Sequence, residues 1–248
     1  MAIDMKKMRQ KLAALQNKGG GNSKNAFWKP QDGDQTIRIV PTPDGDPFKE
    51  YWFYYNIGKT PILCPKKNFG EESAIFDFAT ELYREGTPDS IEMAKKLFPK
   101  QRFFSPVVVR GEEDQGVRVW GYSRTVYEQL LNLVLDPDYD DITDPDVGTD
   151  LTLTYGKKPG AMFPSTNLKP KRKSSVLCED GDAECLALLE QVPDFSELFE
   201  RKTPEEVAQI LKLHLNKGDG EETEKYGATP SAPKQDEVDK AFNELLDS

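Results

Sequence analysis

Residues 101–134, QRFFSPVVVRGEEDQGVRVWGYSRTVYEQLLNLV, restrict the fold of this 248-residue chain more than any other stretch. Two runs rich in β-branched and aromatic residues, 103–110 and 117–124, flank the polar turn 111–116, and that spacing predicts a β-hairpin. Side chains alternate faces along a strand. Val117 and Val119 therefore share one face, with Gly121 leaving a gap on it, and Arg118, Trp120, Tyr122 and Arg124 share the other. A face of two rings between two arginines has two readings. It is a surface for stacking bases and neutralising phosphates, or it is a core layer under a neighbouring helix with arginines reaching the edge. Residues 125–134 form a helix directly afterwards, with Val126, Leu130, Leu133 and Val134 on one side.

The rest of the chain extends this pattern. A strand over 35–40 ends at Pro41, with Ile37 and Ile39 inward and Arg38 outward. The run 48–57, FKEYWFYYNI, puts Tyr51, Phe53 and Tyr55 on one face and Trp52 and Tyr54 on the other. One set must be core; the second is covered by a further layer or is a stacking platform. LTLTY at 151–155 alternates cleanly, with Leu151, Leu153 and Tyr155 inward. Helical stripes fall at 73–85 (Ile75, Phe76, Phe78, Leu82, Tyr83), at 91–98 behind a cap at Asp89 or Ser90, at 182–191 and at 195–199. Thr203, Pro204, Glu205 and Glu206 open a further helix that runs to Leu215. Residues 156–173, rich in Gly, Pro and Lys, read as an arm ending in Lys171-Arg172-Lys173-Ser174-Ser175, three cations followed by two hydroxyls. The fold class is mainly β with α additions, α+β.

Charge is polarised. The net charge is −10, yet residues 1–30 carry seven Lys/Arg and one acid, while 216–248 carry four lysines and nine acids. Local potential rather than this total decides partners. Within the basic head, Met5, Met8, Leu12 and Leu15 form one helical face beside Lys6, Lys7 and Arg9. Such a short helix is marginal alone and has to dock, on a neighbouring protomer or on its own domain. The tail ends in Asp236, Glu237, Asp239, Phe242, Leu245 and Leu246, an acidic segment with apolar residues at helical spacing that suits a partner's groove. No run of about 18 apolar residues predicts a membrane span, and no apolar signal segment follows the N-terminus. Cys64, Cys178 and Cys185 lack metal-like spacing and fit a reducing cytosol. The aspartate-dense loop 136–150 lacks the EF-hand pattern and reads as solvated. No nucleophile–base pair or phosphate loop is present, and His214 is the single histidine. Three classes stay open: a nucleic-acid binder, a structural or assembly adaptor whose aromatic strands are core, and a metal-dependent nuclease using the 136–150 carboxylates.

Two stretches add a resemblance. FWKPQDGDQTIRIVPTPDGDPFKEYWFYYNIGKTPILCP, beginning at Phe27, and the hairpin-plus-helix at 101–134 resemble the single-stranded DNA-binding protein of T-even-type phages, more closely its marine-phage relatives. By order of elements the resemblance covers roughly residues 5–215 and is specific in those two stretches. It implies an OB-type β-barrel core at 27–215 with an inserted helical subdomain at about 58–100. It also implies a flexible basic N-terminal arm at 1–26 for cooperative self-association, carried by Met5, Lys6, Lys7, Met8, Arg9, Leu12 and Leu15, and an acidic disordered tail at 216–248 for phage replication partners. The activity implied is sequence-nonspecific single-stranded DNA binding in phage replication, recombination and repair, in the host cytoplasm, with no enzymatic step. The expected stacking residues are Trp52, Tyr54, Phe103, Phe104, Trp120 and Tyr122. The expected phosphate contacts are Arg38, Lys66, Lys67, Lys100, Arg102, Arg110, Arg118 and Arg124, with Lys171, Arg172 and Lys173. The family's insert carries a structural zinc held by one His and three Cys. Here Cys64-Pro65 is kept, but Ser73-Ala-Ile-Phe76 stands where a Cys-x-x-Cys is expected. One cysteine cannot supply a tetrahedral site, so no metal or other cofactor is expected, and apolar contacts including Phe76 are expected in its place, with Cys64 a buried free thiol.

Overall fold

The structure, a computed structural model, describes residues 27–58, 60–178 and 181–218. The elements run β1 (Phe27–Trp28), β2 (Gly33–Ile39), β3 (Lys49–Tyr54), β4 (Ile62–Leu63), α1 (Pro65–Phe69), α2 (Ala74–Glu85), α3 (Pro88–Leu97), β5 (Lys100–Val109), β6 (Arg118–Tyr122), α4 (Arg124–Val134), β7 (Leu151–Gly156), β8 (Ser165–Pro170), α5 (Asp182–Leu189) and α6 (Pro204–Gly218). The fold is mixed α+β around one eight-stranded sheet.

The predicted hairpin is its spine. β5 pairs antiparallel with β6 along one edge, Phe103 opposite Tyr122 and Val107 opposite Arg118. Its other edge serves two strands in turn, β3 opposite Lys100–Phe104 and β2 opposite Val107–Val109. Pro106 lies between the two. Its carbonyl accepts from the Val40 amide at 2.9 Å, so its nitrogen points to that same edge, where a missing N–H interrupts neither ladder. Outward from there the order is β1-β6-β5-β2-β7-β8, with β4 on β3. β1 and β8 end the path without pairing to each other among the described residues, so the expected barrel closure is not seen.

Alternation along β5 and β6 separates two cores. Phe103, Trp120, Tyr122, Ile37, Ile39 and Leu153 pack beneath Val126 and Leu130 of α4. On the other side Phe53, Phe104 and Val119 pack with Phe27, Phe195 and Phe199. A third core belongs to the helices after β4: Tyr54, Cys64, Ile75, Ala79 and Leu97 meet Val207 and Leu211 of α6. The helix α6 is fixed at its start by a reciprocal capping box. The Thr203 amide donates to Glu206 Oε2 (2.7 Å) and the Glu206 amide donates to Thr203 Oγ1 (3.3 Å).

Several local expectations change. The cap of α3 is Thr87, whose hydroxyl accepts from the Ser90 amide, two residues before Asp89 and three before Ser90, the caps expected. Residues 195–199 form turns rather than a helix. There Asp194 accepts from both the amide and the hydroxyl of Ser196, which closes a local turn. Residues 165–170, read as arm, form β8 against β7, an exposed edge strand with little apolar signal. Cys178 and Cys185 are joined in a disulfide with Cα atoms 5.4 Å apart, unlike the reduced thiols expected.

Candidate nucleic-acid interface

A cleft of about 280 Å³ opens where the sheet's ends converge. Lys29 and Pro30, just beyond β1, form one wall, and Arg102 and Phe104 of β5 another. The end of β6 and the first residues of α4 form the floor. Tyr155 at the end of β7 and Pro164, Ser165 and Thr166 at the start of β8 close the far side. Strand register sets this arrangement. Tyr155 lies opposite Thr166 across the β7–β8 pair and opposite Gly33 across the β2–β7 pair. Arg102 is half-buried, with its guanidinium 5.6 Å from the Tyr55 ring centroid, and forms no ion pair among the described residues. A cation that no carboxylate neutralises, in a concave site, suits an anionic ligand.

Other predicted cations lie outside the cleft lining, on β5 and on the helical insert. Lys100 is exposed opposite Phe53. The Nζ of Lys67 lies 5.4 Å from the Trp52 ring centroid and 5.7 Å from that of Phe76. Lys66 lies 4.7 Å from the Phe76 centroid and is ion-paired with Asp77 at 2.7 Å across exposed surface, a pair worth little in water. Trp52 is half-buried beside Lys67, on the sheet face opposite Arg102, its indole N–H donating to Glu50 Oε1 at 3.0 Å.

Most of the predicted stacking rings are elsewhere. Phe103, Phe104, Trp120 and Tyr54 are each 1% exposed and Tyr122 is 5% exposed. Phe103 stacks on Tyr127 with centroids 4.0 Å apart, and the Tyr122 hydroxyl hydrogen-bonds Ser105 Oγ at 2.8 Å. Burial pushes the Tyr122 phenol well above its ordinary value, with the bond to Ser105 opposing it, so the group stays neutral. These rings are core, contrary to the stacking role expected of them. Turning one outward forfeits roughly 1.5–3 kcal/mol of burial, about what a stacked base returns. Only edges of Phe104, Trp120 and Tyr122 reach the cleft wall.

Three predicted phosphate contacts, Arg38, Arg110 and Arg118, are structural as well. Arg38 is fully buried. Its Nε donates to Asp150 Oδ1 at 2.8 Å, its Nη1 to the Asp144 carbonyl at 3.1 Å, and its Nη2 to Ser175 Oγ at 2.8 Å and to the Ser175 carbonyl. Arg110 approaches the same carboxylate with Nε at 3.1 Å and Nη2 at 3.0 Å and donates to the carbonyls of Val176 and Leu177. Burial lowers the Arg38 pKa, and Asp150 works against that. For Asp150, burial raises the carboxyl, but the bonds from Arg110 and Arg38 outweigh it and hold it below the usual range. Arg118 pairs with Glu112 at 2.7 Å and braces the hairpin. Arg124 is exposed and pairs with Glu128 at 2.9 Å one turn along α4, a surface pair worth little that leaves it open to solvent. Sequence alternation correctly sent Arg38 away from the Ile37–Ile39 core. It could not show that loop 144–150 and Ser175 cover that face.

Lys171, Arg172 and Lys173 are exposed. Their segment is anchored by the Lys171 amide to the Asp150 carbonyl (2.8 Å) and by the Ser175 amide to the Gly148 carbonyl (3.1 Å). In the acidic loop, Asp141 accepts from the Thr143 amide and hydroxyl, and Asp144 from the amides of Asp146 and Val147. The self-association residues Met5, Lys6, Lys7, Met8, Arg9, Leu12 and Leu15 and the tail residues Asp236, Glu237, Asp239, Phe242, Leu245 and Leu246 lie outside the described residues.

The zinc expectation turns on the surroundings of Cys64 in the insert. Cys64 is fully buried, and its sulfur lies 3.0 Å from the Tyr54 hydroxyl, which is also 2.8 Å from Ser73 Oγ. The Lys67 amide donates to the same sulfur at 3.4 Å. Cys64 and Ser73 thus converge as two zinc ligands would, but one thiol and two mutually hydrogen-bonded hydroxyls do not fit a Cys/His site. Burial, with the Cys64 contact adding, pushes the Tyr54 phenol far above its ordinary value and keeps it a neutral donor. Among the described residues no group of three or more His, Cys, Asp or Glu is placed to hold a metal.

Sequence reasoning missed Pro30, Tyr155 and the β8 residues of the cleft. Tyr155 was read as inward from its alternation, and the β8 residues carry no motif, because a cleft between strand ends depends on register. No helix of the described residues is long and apolar enough to cross a membrane. Neither protein-family models nor curated proteins give a match to this chain.

Proposed function

We propose that this chain binds single-stranded DNA without sequence preference, as a phage replication, recombination and repair protein acting in the cytoplasm of the infected bacterium. The observation that carries the reading is the half-buried Arg102, without an ion pair among the described residues, in a cleft with Tyr155, with Lys100 two residues before it on the same face of β5. Cations there track phosphates and Tyr155 offers a ring face at the cleft edge, in keeping with single-strand binders. The sequence resemblance supports the same reading, including self-association along DNA through 1–26 and partner recruitment through 216–248. The OB-type barrel belongs to this proposal; its support is the antiparallel order in which one long strand serves β6, β3 and β2. No cofactor and no enzymatic step are assigned.

The burial of Phe103, Trp120 and Tyr122 favours a second reading, a structural adaptor whose aromatic strands are simply core. A titration of the full chain with poly-dT over a salt series, against duplex DNA, separates the two. Strong preference for single strands that weakens steeply with salt supports binding. No binding at low salt leaves the adaptor.

A further inference from the structure

The hairpin β7–β8 differs in charge from the rest of the molecule. From 151 to 178 the chain has six Lys or Arg and no acid, in a protein of net charge −10. Lys157, Lys158, Lys169, Lys171, Arg172 and Lys173 are all exposed, and none enters an ion pair among the described residues. The loop between the strands carries Met162 and Phe163 on its β8 side, 81% and 69% exposed. Phe163 is the most exposed aromatic side chain among the described residues, and it immediately precedes Pro164, Ser165 and Thr166 of the cleft wall.

We propose that this hairpin is a clasp for a polynucleotide strand: Phe163 stacks on a base at the cleft mouth while Lys157 and Lys158 hold the flanking phosphates. The proposal rests on the single-stranded DNA reading and adds an open stacking face to the half-buried ring of Tyr155. Phe104, Trp120 and Tyr122 in the cleft wall are committed to the core, and stacking needs an unoccupied π face. A large ring held in water on a uniformly cationic loop costs hydration unless a ligand covers it. The occupant must be anionic to match six unpaired cations and flat to match the ring, and a single-stranded nucleic acid has both properties. The loop is joined to the cleft without a break through Pro164, so a strand lying in the cleft passes beside Phe163. Gly160, at φ +80° with open space around its Cβ position, lets the chain turn at the tip without crowding.

The test uses the full chain with F163A, F163W and the double variant K157A/K158A, and a short oligo-dT. F163A should bind about 5- to 50-fold more weakly at every salt concentration with an unchanged salt slope, because a ring and no charge has been removed. K157A/K158A should lower the slope of log affinity against log salt by about 1.4, at roughly 0.7 per cation. The indole of F163W should be quenched by oligo-dT well beyond the quenching of wild type. F163A binding within twofold of wild type, or F163W emission indifferent to DNA, overturns the clasp while leaving the cleft reading standing. Wild type failing to bind single strands at low salt sinks both. Phe163 is exposed, so its variants should melt with wild type, and a binding loss accompanied by a lower Tm would count against the clasp.

Discussion

Asp150→Asn tests whether Arg38 and Arg110 are core braces or DNA contacts. The Asp150 carboxylate receives Arg38 Nε at 2.8 Å and Arg110 Nε and Nη2 at 3.1 and 3.0 Å, and Arg38 is fully buried. An amide removes the charge and turns an acceptor into a donor facing two guanidinium groups. Breaking one side of a buried ion pair costs about 3–5 kcal/mol because the remaining charge stays in low dielectric. For a chain of this size that is a fall of about 6–20 °C in Tm, read by far-ultraviolet circular dichroism at pH 7. The pH dependence has a definite sign. Asp150 is depressed in the folded state, so its contribution is fully present above the unfolded value of about 4 and is lost as pH falls through the lower folded value. The gap between wild type and D150N should be largest near pH 7 and close in acid. Arg38→Met should also destabilise, while leaving the salt slope of DNA binding unchanged. A D150N Tm within about 2 °C of wild type, or a gap that widens in acid, would refute the brace.

Two further outcomes follow from the cleft and the insert. Arg102→Ala should weaken single-strand binding and reduce its salt slope by about 0.7 with little change in Tm, since Arg102 holds no ion pair; an unchanged slope in a titration series would remove it from the phosphate track. Tyr54→Phe deletes the hydroxyl between Cys64 and Ser73, leaving Ser73 buried without that partner, and should cost about 1–3 kcal/mol in urea unfolding. Added zinc should leave the wild-type midpoint unchanged, and a zinc-dependent rise would reinstate a metal role for the insert.

The elements read best where the signal was local. The hairpin, α4, α2, β7 and the Thr203 start of α6 follow from period, turn residues and caps, each set within a few neighbouring residues. β8 failed because a polar edge strand such as STNLKP carries little apolar signal: Ser165, Asn167 and Lys169 face water and only Leu168 reaches the core. The short pairing of β1 with β6 failed for a different reason. It joins residues some ninety positions apart through two residue pairs, Phe27 with Val119 and Trp28 with Trp120, and no pattern within either segment encodes it.

The candidate site shows the same limit more sharply. Period two fixes which side chains share a face, and it did so correctly for Tyr51, Phe53 and Tyr55 against Trp52 and Tyr54. What lies over that face is set by chain far away. Phe195 and Phe199 cover the Tyr51 face, and Ile75, Leu97 and Val207 cover the Tyr54 face. An arginine–aromatic strand therefore has the same sequence whether it binds a ligand or is roofed by its own protein. Arg118–Trp120–Tyr122 is roofed by α4, and the cationic, open surface lies instead on the cleft rim and the β7–β8 hairpin. The two kinds of strand separate only at the level of charge compensation. Arg38, Arg110 and Arg118 each meet a carboxylate, whereas Arg102 and the hairpin cations meet none among the described residues. Cations left unpaired on an acidic protein mark the surface where an anion belongs, and mutagenesis of any binding activity should begin there.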